Sequence, residues 1–128
     1  MKSVEDWLER FVSTALAGDL AAHMAMISPD VLVFGVPGFD TLDFDDWYRQ
    51  CEHEFPQRLL SDIGYSAPDI RTASEDRVLF KALETTRTTD GSISRQGVEM
   101  LLGRDGDDWK LQQMRLLSDD EARHDGLL

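Results

Sequence analysis

The chain has 128 residues, 41% of them apolar, and a formal net charge of −12 from 25 acidic against 13 basic residues. That length and apolar content suit one domain with one core, and the negative charge works against binding phosphate backbones or anionic lipid, so neither nucleic acid nor membrane is expected. Cys51 is the single cysteine, which rules out an intramolecular disulfide or a cysteine-based metal cage, and His23, His53 and His124 lack a ligand-type spacing, so no metal and no cofactor is expected.

The opening MKSVEDWLER carries charges every few residues and no apolar h-region, and no apolar run approaches the roughly 18 residues of a spanning helix. The expected location is the cytoplasm. Ser3 and Asp6 resemble a capping box, and Val4, Trp7, Leu8, Phe11, Val12, Ala15 and Leu16 recur at steps of three and four, which predicts an amphipathic helix stopped at Gly18. Asp19 caps a second, shorter helix with Leu20, Met24 and Ile27 on its inner stripe, ending in a turn at Ser28-Pro29-Asp30. Val31 to Val36, apolar on both faces, reads as a short buried strand. A third helix starts near Asp43 and places Phe44, Trp47, Tyr48, Cys51 and Phe55 on one face before Pro56.

From Ile63 the apolar period changes from about 3.6 to 2, the signature of sheet. Pro68 confines the first of these strands to an edge or a bulge. Val78 to Thr89 and Ser92 to Gly103 flank Asp90-Gly91 and read as a long hairpin, and Trp109 to Leu117 follows the Asp105-Gly106 turn as the last strand. A three-residue loop sets Glu84 opposite Val98, Ala82 opposite Met100 and Phe80 opposite Leu102. Val78, Phe80, Ala82, Glu84, Thr86, Gln96, Val98, Met100 and Leu102 then face the helices. Leu79, Leu83 and Leu101, with Trp109, Leu111 and Leu117, face away, an apolar patch that predicts a homodimer packed through the outer sheet face. Helices followed by a meander argue for an α+β domain with three N-terminal helices packed on a strongly curved antiparallel sheet. That domain spans residues 1–118, and the polar 119–128 reads as a frayed tail.

The run WLERFVSTALAGDLAAHMAMISPDVLVFGV from Trp7 to Val36, with its Ala-Gly-Asp-Leu helix break, resembles the opening of NTF2-like (SnoaL-like) proteins, and the closing DDWKLQQMRLLS resembles their last strand. The resemblance covers most of the chain and implies a cystatin-like cone with an internal pocket. Its motifs are structural, so they specify fold better than activity. Ketosteroid isomerase, in the same superfamily, uses a carboxylate base with a Tyr and a protonated Asp that hold the oxyanion, an enzyme often used to illustrate carboxyl tuning. Aligning the helix breaks puts Phe11, Gly35 and Met100 at those three stations, so that mechanism is not expected. Polyketide-cyclase and dehydratase relatives rely on inward His and Asp residues, of which only His23 offers a counterpart.

Glu84 continues the inward series Val78, Phe80 and Ala82, so it would put a carboxylate into an apolar cavity, where desolvation raises its pKa; the alternative is a solvated place at the rim. Gln96 and Thr86 lie just beyond it. His23 borders the inner stripe of the second helix, and Tyr48 flanks Trp47 on the third, so Glu84, His23 and Tyr48 are the candidate catalytic groups. His23 and Tyr48 each have a plain structural role as the alternative, and Cys51 reads as an inert buried thiol. Trp7, Phe11, Met24, Ile27, Phe34, Trp47, Cys51, Phe55, Phe80, Ala82, Val98, Met100 and Met114 are the expected pocket wall, unless they simply fill a core. The leading expectation is a domain that binds a small apolar or aromatic molecule. The alternatives are a cofactor-independent isomerase, dehydratase or cyclase of the SnoaL-like type, and a non-catalytic dimerising scaffold.

Overall fold

The computed structural model describes residues 2–66 and 68–128. Helix α1 (Lys2–Ala17) buries Val4, Trp7, Leu8 and Phe11 along one stripe. It ends where Gly18 takes a φ of +66°, a conformation cheap only for glycine. The Asp19 side chain accepts from the Ala22 N–H and starts α2 (Leu20–Met24). This helix is shorter than its sequence suggested. Ile27 lies in strand β1 (Ile27–Phe34) rather than on α2, and Pro29 sits in a stretch where the pairing register slips between Ile27 and Leu32. Such an irregularity is where a strand tolerates a residue without an N–H, so the Ser-Pro-Asp signal marks a bulge here instead of a turn.

After the two-residue β2 (Thr41–Leu42), α3 (Phe44–Glu54) begins at a full capping box, in which Asp43 and Asp46 each accept the other's N–H at 3.0 Å. A 3-10 turn over Phe55–Gln57 leads to β3 (Leu60–Tyr65) and β4 (Asp69–Ala73), which pair side by side with successive parts of β5 (Arg77–Thr88). Pro68 falls between them, at the break. Then come β6 (Ile93–Asp105), β7 (Asp108–Leu116) and a fourth helix, α4 (Asp119–His124).

The strands form one open, curved sheet in the order β2-β1-β7-β6-β5-β3, with β4 beside β5. It is mixed rather than purely antiparallel, because β1 runs parallel to β7. The β5–β6 hairpin pairs Glu84 with Gln96, Ala82 with Val98 and Phe80 with Met100, two positions away from the register expected from sequence. The loop is centred on Asp90, whose carboxylate accepts from the Ser92 N–H while Gly91 takes a φ of +92°. Positive φ at the last position of a three-residue loop calls for glycine. A shift of two keeps every side chain on its expected face.

The last strand departs further. Between the Leu101–Gln113 and Leu102–Leu111 pairs the β6–β7 register slips at Gln112, which reverses the alternation along β7. Trp109 and Leu111 therefore point to the helix side, with Leu111 completely buried, instead of to the outer face. The Gln112 side chain lies over Gly103, with its amide nitrogen 2.0 Å from where a Cβ would stand, so a larger residue at 103 would turn that amide aside.

The segment after Leu117 is not a frayed tail in this structure. Ser118 caps α4, Ala122 is fully buried, and the helix lies on the outer face of the sheet at Gly97. Glu121 and Asp125 accept from Lys81 at 3.2 and 2.6 Å, and Arg115 bridges Glu99 and Glu121. Among the described residues no helix is long and apolar enough to cross a membrane.

Candidate functional site

The cone is filled at one end and open at the other. Trp7, Met24, Ile27, Phe80, Ala82, Val98 and Met100 all belong to the continuous core and do not line the cleft at the open end, though Trp7 also borders a separate surface groove with Trp109. Phe34 is half-buried and also lies outside the cavity wall. Further along the same strands the packing gives way to a cleft of about 320 Å³. Of the expected wall, Phe11, Trp47, Cys51, Phe55 and Met114 line it, joined by Val33, Val36, Leu42, Leu60, Ile63 and Leu116. The division runs strand by strand: on β5 Phe80 fills and Glu84 lines, and on β7 Leu111 fills and Met114 lines.

Of the three candidate catalytic groups, the structure brings two into this cleft. Glu84 and His23 both line it, whereas Tyr48 is 38% exposed and does not. The hydroxyl beside Glu84 belongs to Tyr65, which donates to Glu84 Oε2 at 2.7 Å. Burial raises the Glu84 pKa above the usual carboxylate value, against the opposing pull of the Tyr65 hydrogen bond. Burial, and then the neighbouring carboxylate, push Tyr65 well above an ordinary phenol, so Tyr65 keeps its proton and remains a donor. Glu84 Oε1 has no hydrogen-bond partner among the described residues and is not sealed from solvent. It is free to meet a ligand.

His23 is 3% exposed and sits among aromatic rings: Phe11 stacks on it at 4.6 Å, Phe55 meets it edge-on at 5.4 Å, and Trp47 lies 6.2 Å away. Desolvation lowers its pKa to about 4, opposed by the Phe11 carbonyl, so the ring is neutral at pH 7. Nδ1 lies 3.0 Å from Thr14 Oγ1, and that hydroxyl donates to the Phe11 carbonyl. With the Thr14 proton given to the Phe11 carbonyl, the Thr14 oxygen accepts from Nδ1–H, and we assign the ring hydrogen to Nδ1 on that basis. The Nε2 lone pair has no partner among the described residues, and it too is not sealed in.

The remaining polar groups are accounted for differently. Gln96 donates to the Gly97 and Leu117 carbonyls and, like Thr86, is absent from the cleft wall. Cys51 is pushed up to about 11 by burial and then by Glu54, which leaves an unreactive thiol. Gln50 and Glu54, one turn apart on α3, line the cleft with the Gln50 amide donating to Glu54 at 3.3 Å. Sequence reasoning passed over Tyr65, Gln50 and Glu54. For Tyr65 a signal exists, since Ile63 and Tyr65 alternate with Asp62 and Gly64 as inward positions of a strand. Among the described residues no cluster of His, Cys, Asp and Glu is arranged to hold a metal ion.

The three stations aligned with ketosteroid isomerase have their own geometry. Phe11 lines the cleft, Met100 is completely buried away from it, and Gly35 takes a φ of +84° with the Leu116 carbonyl 2.5 Å from where a Cβ would stand. None of the three carries a group that moves a proton.

No protein-family model matches the chain, and no curated protein matches it in sequence. Solved structures do match. An NTF2-like protein of unknown function from Shewanella oneidensis superposes with a TM-score of 0.76 at 11% identity, covering 90% of this chain and 96% of that one. A protein from Novosphingobium aromaticivorans provisionally named a scytalone dehydratase gives a TM-score of 0.74 at 16% identity, covering 91% and 81%. An NTF2-like protein of unknown function in nutrient uptake from Rhodospirillum rubrum gives 0.72 at 18% identity, covering 88% and 95%. Identities this low carry architecture and not activity. The chain has the NTF2-like fold, the helix-covered cone that its opening and closing segments resemble.

Proposed function

We propose that the chain binds a small, flat apolar or aromatic molecule in the open end of its cone. The observation that carries this reading is the cleft itself: about 320 Å³ walled by Phe11, Trp47, Phe55 and aliphatic side chains, with the Glu84–Tyr65 pair and His23 as the polar anchors. That volume and that mixture of apolar wall with few polar groups are usual for small-molecule sites. A thermal-shift panel of planar aromatic and steroid-like compounds tests it on wild type and on Ala15→Phe, which fills the cleft from α1. A ligand that binds only the folded state raises Tm with concentration. Wild type should respond to at least one compound and Ala15→Phe to none; a flat wild-type response across the panel sinks the reading.

A second reading, a cofactor-independent isomerase, dehydratase or cyclase, draws support from the free Nε2 lone pair of His23 and the raised pKa of Glu84 in one cleft. Here Glu84, held in place by the Tyr65 hydroxyl on Oε2, would take a proton beside a carbonyl through its open Oε1. The provisional name of the Novosphingobium neighbour is of this class. Deuterium exchange into a panel of cyclic ketones and enones, followed by NMR, tests it. Exchange by wild type that Glu84→Gln abolishes supports it, and no exchange above buffer removes it.

The outer face carries the third reading, a dimerising scaffold. Leu79 and Leu101 are cross-strand partners on that face and are half-buried in one copy. We propose that a second copy covers them, beside the ground already taken by α4.

A further inference from the structure

The charges around the cleft are one-sided. Its ionisable wall consists of Glu54, Glu84, neutral His23, Tyr65 and Cys51, and among the described residues no Lys or Arg lines it. Arg58 belongs to the adjoining groove, where its guanidinium reaches the Ala17 carbonyl at 3.5 Å. Hydrogen-bond capacity is equally lopsided. Glu84 Oε1 and His23 Nε2 are open acceptors, while the hydroxyl of Tyr65 already donates to Glu84 and the Gln50 amide gives one of its two hydrogens to Glu54. A ligand carboxylate would meet two carboxylates and no cation, and it would have to shed its hydration without compensation. A ligand ammonium would meet carboxylates and the ring of Trp47, which no stacked neighbour covers, and both attract it.

We propose that the cleft selects an arylalkyl amine, bound as its ammonium between Glu84 and the ring of Trp47, over the matching alcohol and acid. This rests on the binding role proposed above and narrows it to a chemical class. The amine nitrogen donates to Glu84 Oε1, leaving the Tyr65 bond to Oε2 intact, and the aryl group occupies the apolar wall toward Met114 and Leu116.

The test uses three probes with one ring and one chain length: tryptamine, tryptophol and indole-3-propionate, titrated into the whole protein by calorimetry at pH 7. The expected order is tryptamine at least tenfold tighter than tryptophol, with indole-3-propionate weakest. Glu84→Gln should bring the affinity for tryptamine to within about threefold of that for tryptophol, so that the amine preference collapses. The wild-type ranking decides the matter even where that variant fails to fold. Equal binding of all three, or tighter binding of the acid, overturns the amine selectivity and leaves the binding role standing. Absence of binding by any of the three overturns the amine inference, and the thermal-shift panel then judges the binding role separately.

Discussion

At the scale of single residues, His23 is the clearest titration device in the fold. Its pKa falls from 6.5 to about 4 because a charged imidazole among Phe11, Trp47 and Phe55 would lose its hydration. The unfolded chain takes up a proton at a higher pH than the folded one, so this group's contribution is complete above pH 6.5 and is lost as pH falls toward 4. The size is on the order of 3 kcal/mol. Nitrogen NMR of the folded protein should find His23 neutral at pH 6, with its hydrogen on Nδ1; an imidazolium at that pH, or the opposite tautomer, contradicts the geometry. Glu84 works in the other sense. Its folded pKa is raised, so the proton held by the folded state favours folding below the ordinary carboxylate value, and that advantage is lost as pH rises through the folded pKa. Glu84→Gln should therefore gain on wild type in thermal stability as pH rises from about 4.5. A difference in Tm that stays constant with pH would show Glu84 to be solvated. Tyr48 and Tyr65 show why one phenol was legible and the other was not. Neighbours on a helix point about 100° apart, so an inward Trp47 turns Tyr48 outward. Tyr65 meets Glu84 across β3 and β5 from 19 residues away in sequence, and no local pattern names that partner.

At the scale of elements, the ones that carry their own signals were readable and the ones held by distant partners were not. Helix α3 was visible because Asp43 and Asp46 cap it locally, and the hairpin because Asp90-Gly91 sets its turn. The slip at Gln112 has no such mark, since strict alternation along β7 is what a reader assumes and nothing in the local sequence departs from it. The polar α4 reads as a tail because its partners, Lys81 and Arg115, lie on other strands and a six-residue helix is marginal alone. Packing at one point should therefore control it. A Cβ at residue 97 would stand 2.9 Å from the Ala122 Cβ and 3.4 Å from Leu117. Gly97→Val should lift α4 from the sheet and destabilise the fold by about 1–3 kcal/mol. Urea unfolding reads the loss, and hydrogen exchange should show the amides of Glu121 to Leu127 opening first. An unchanged midpoint with α4 still protected would mean that the ion pairs, rather than the Ala122 contact, hold it.

At the scale of the whole molecule, the cone's two ends divide the labour. The end built on Ile27, Phe80, Leu102 and Leu111 is packed shut and supplies stability, so Glu84 and His23 can sit beside open space at the other end. Sequence patterning located the inward residues but could not separate filled from open, because both ends use the same apolar side chains. The outer face is subtler still. The slip in β7 removes Trp109 and Leu111 from it, α4 covers Leu117, and the Lys81–Glu99–Arg115 charges cross its middle. What remains apolar is centred on Leu79 and Leu101, a smaller patch than the sequence suggested and one flanked by paired charges. A dimer through it would resemble other interfaces with an apolar centre and a polar rim, and the ion pairs fix which registers of approach avoid like-charge contact. Light scattering behind size exclusion should give twice the monomer mass at micromolar concentration. The double variant Leu79→Lys with Leu101→Glu, which leaves the α4 contacts alone, should give the monomer mass with Tm lowered at high protein concentration only. A wild-type mass of about 14.5 kDa that stays constant with concentration would assign the outer face to solvent and α4.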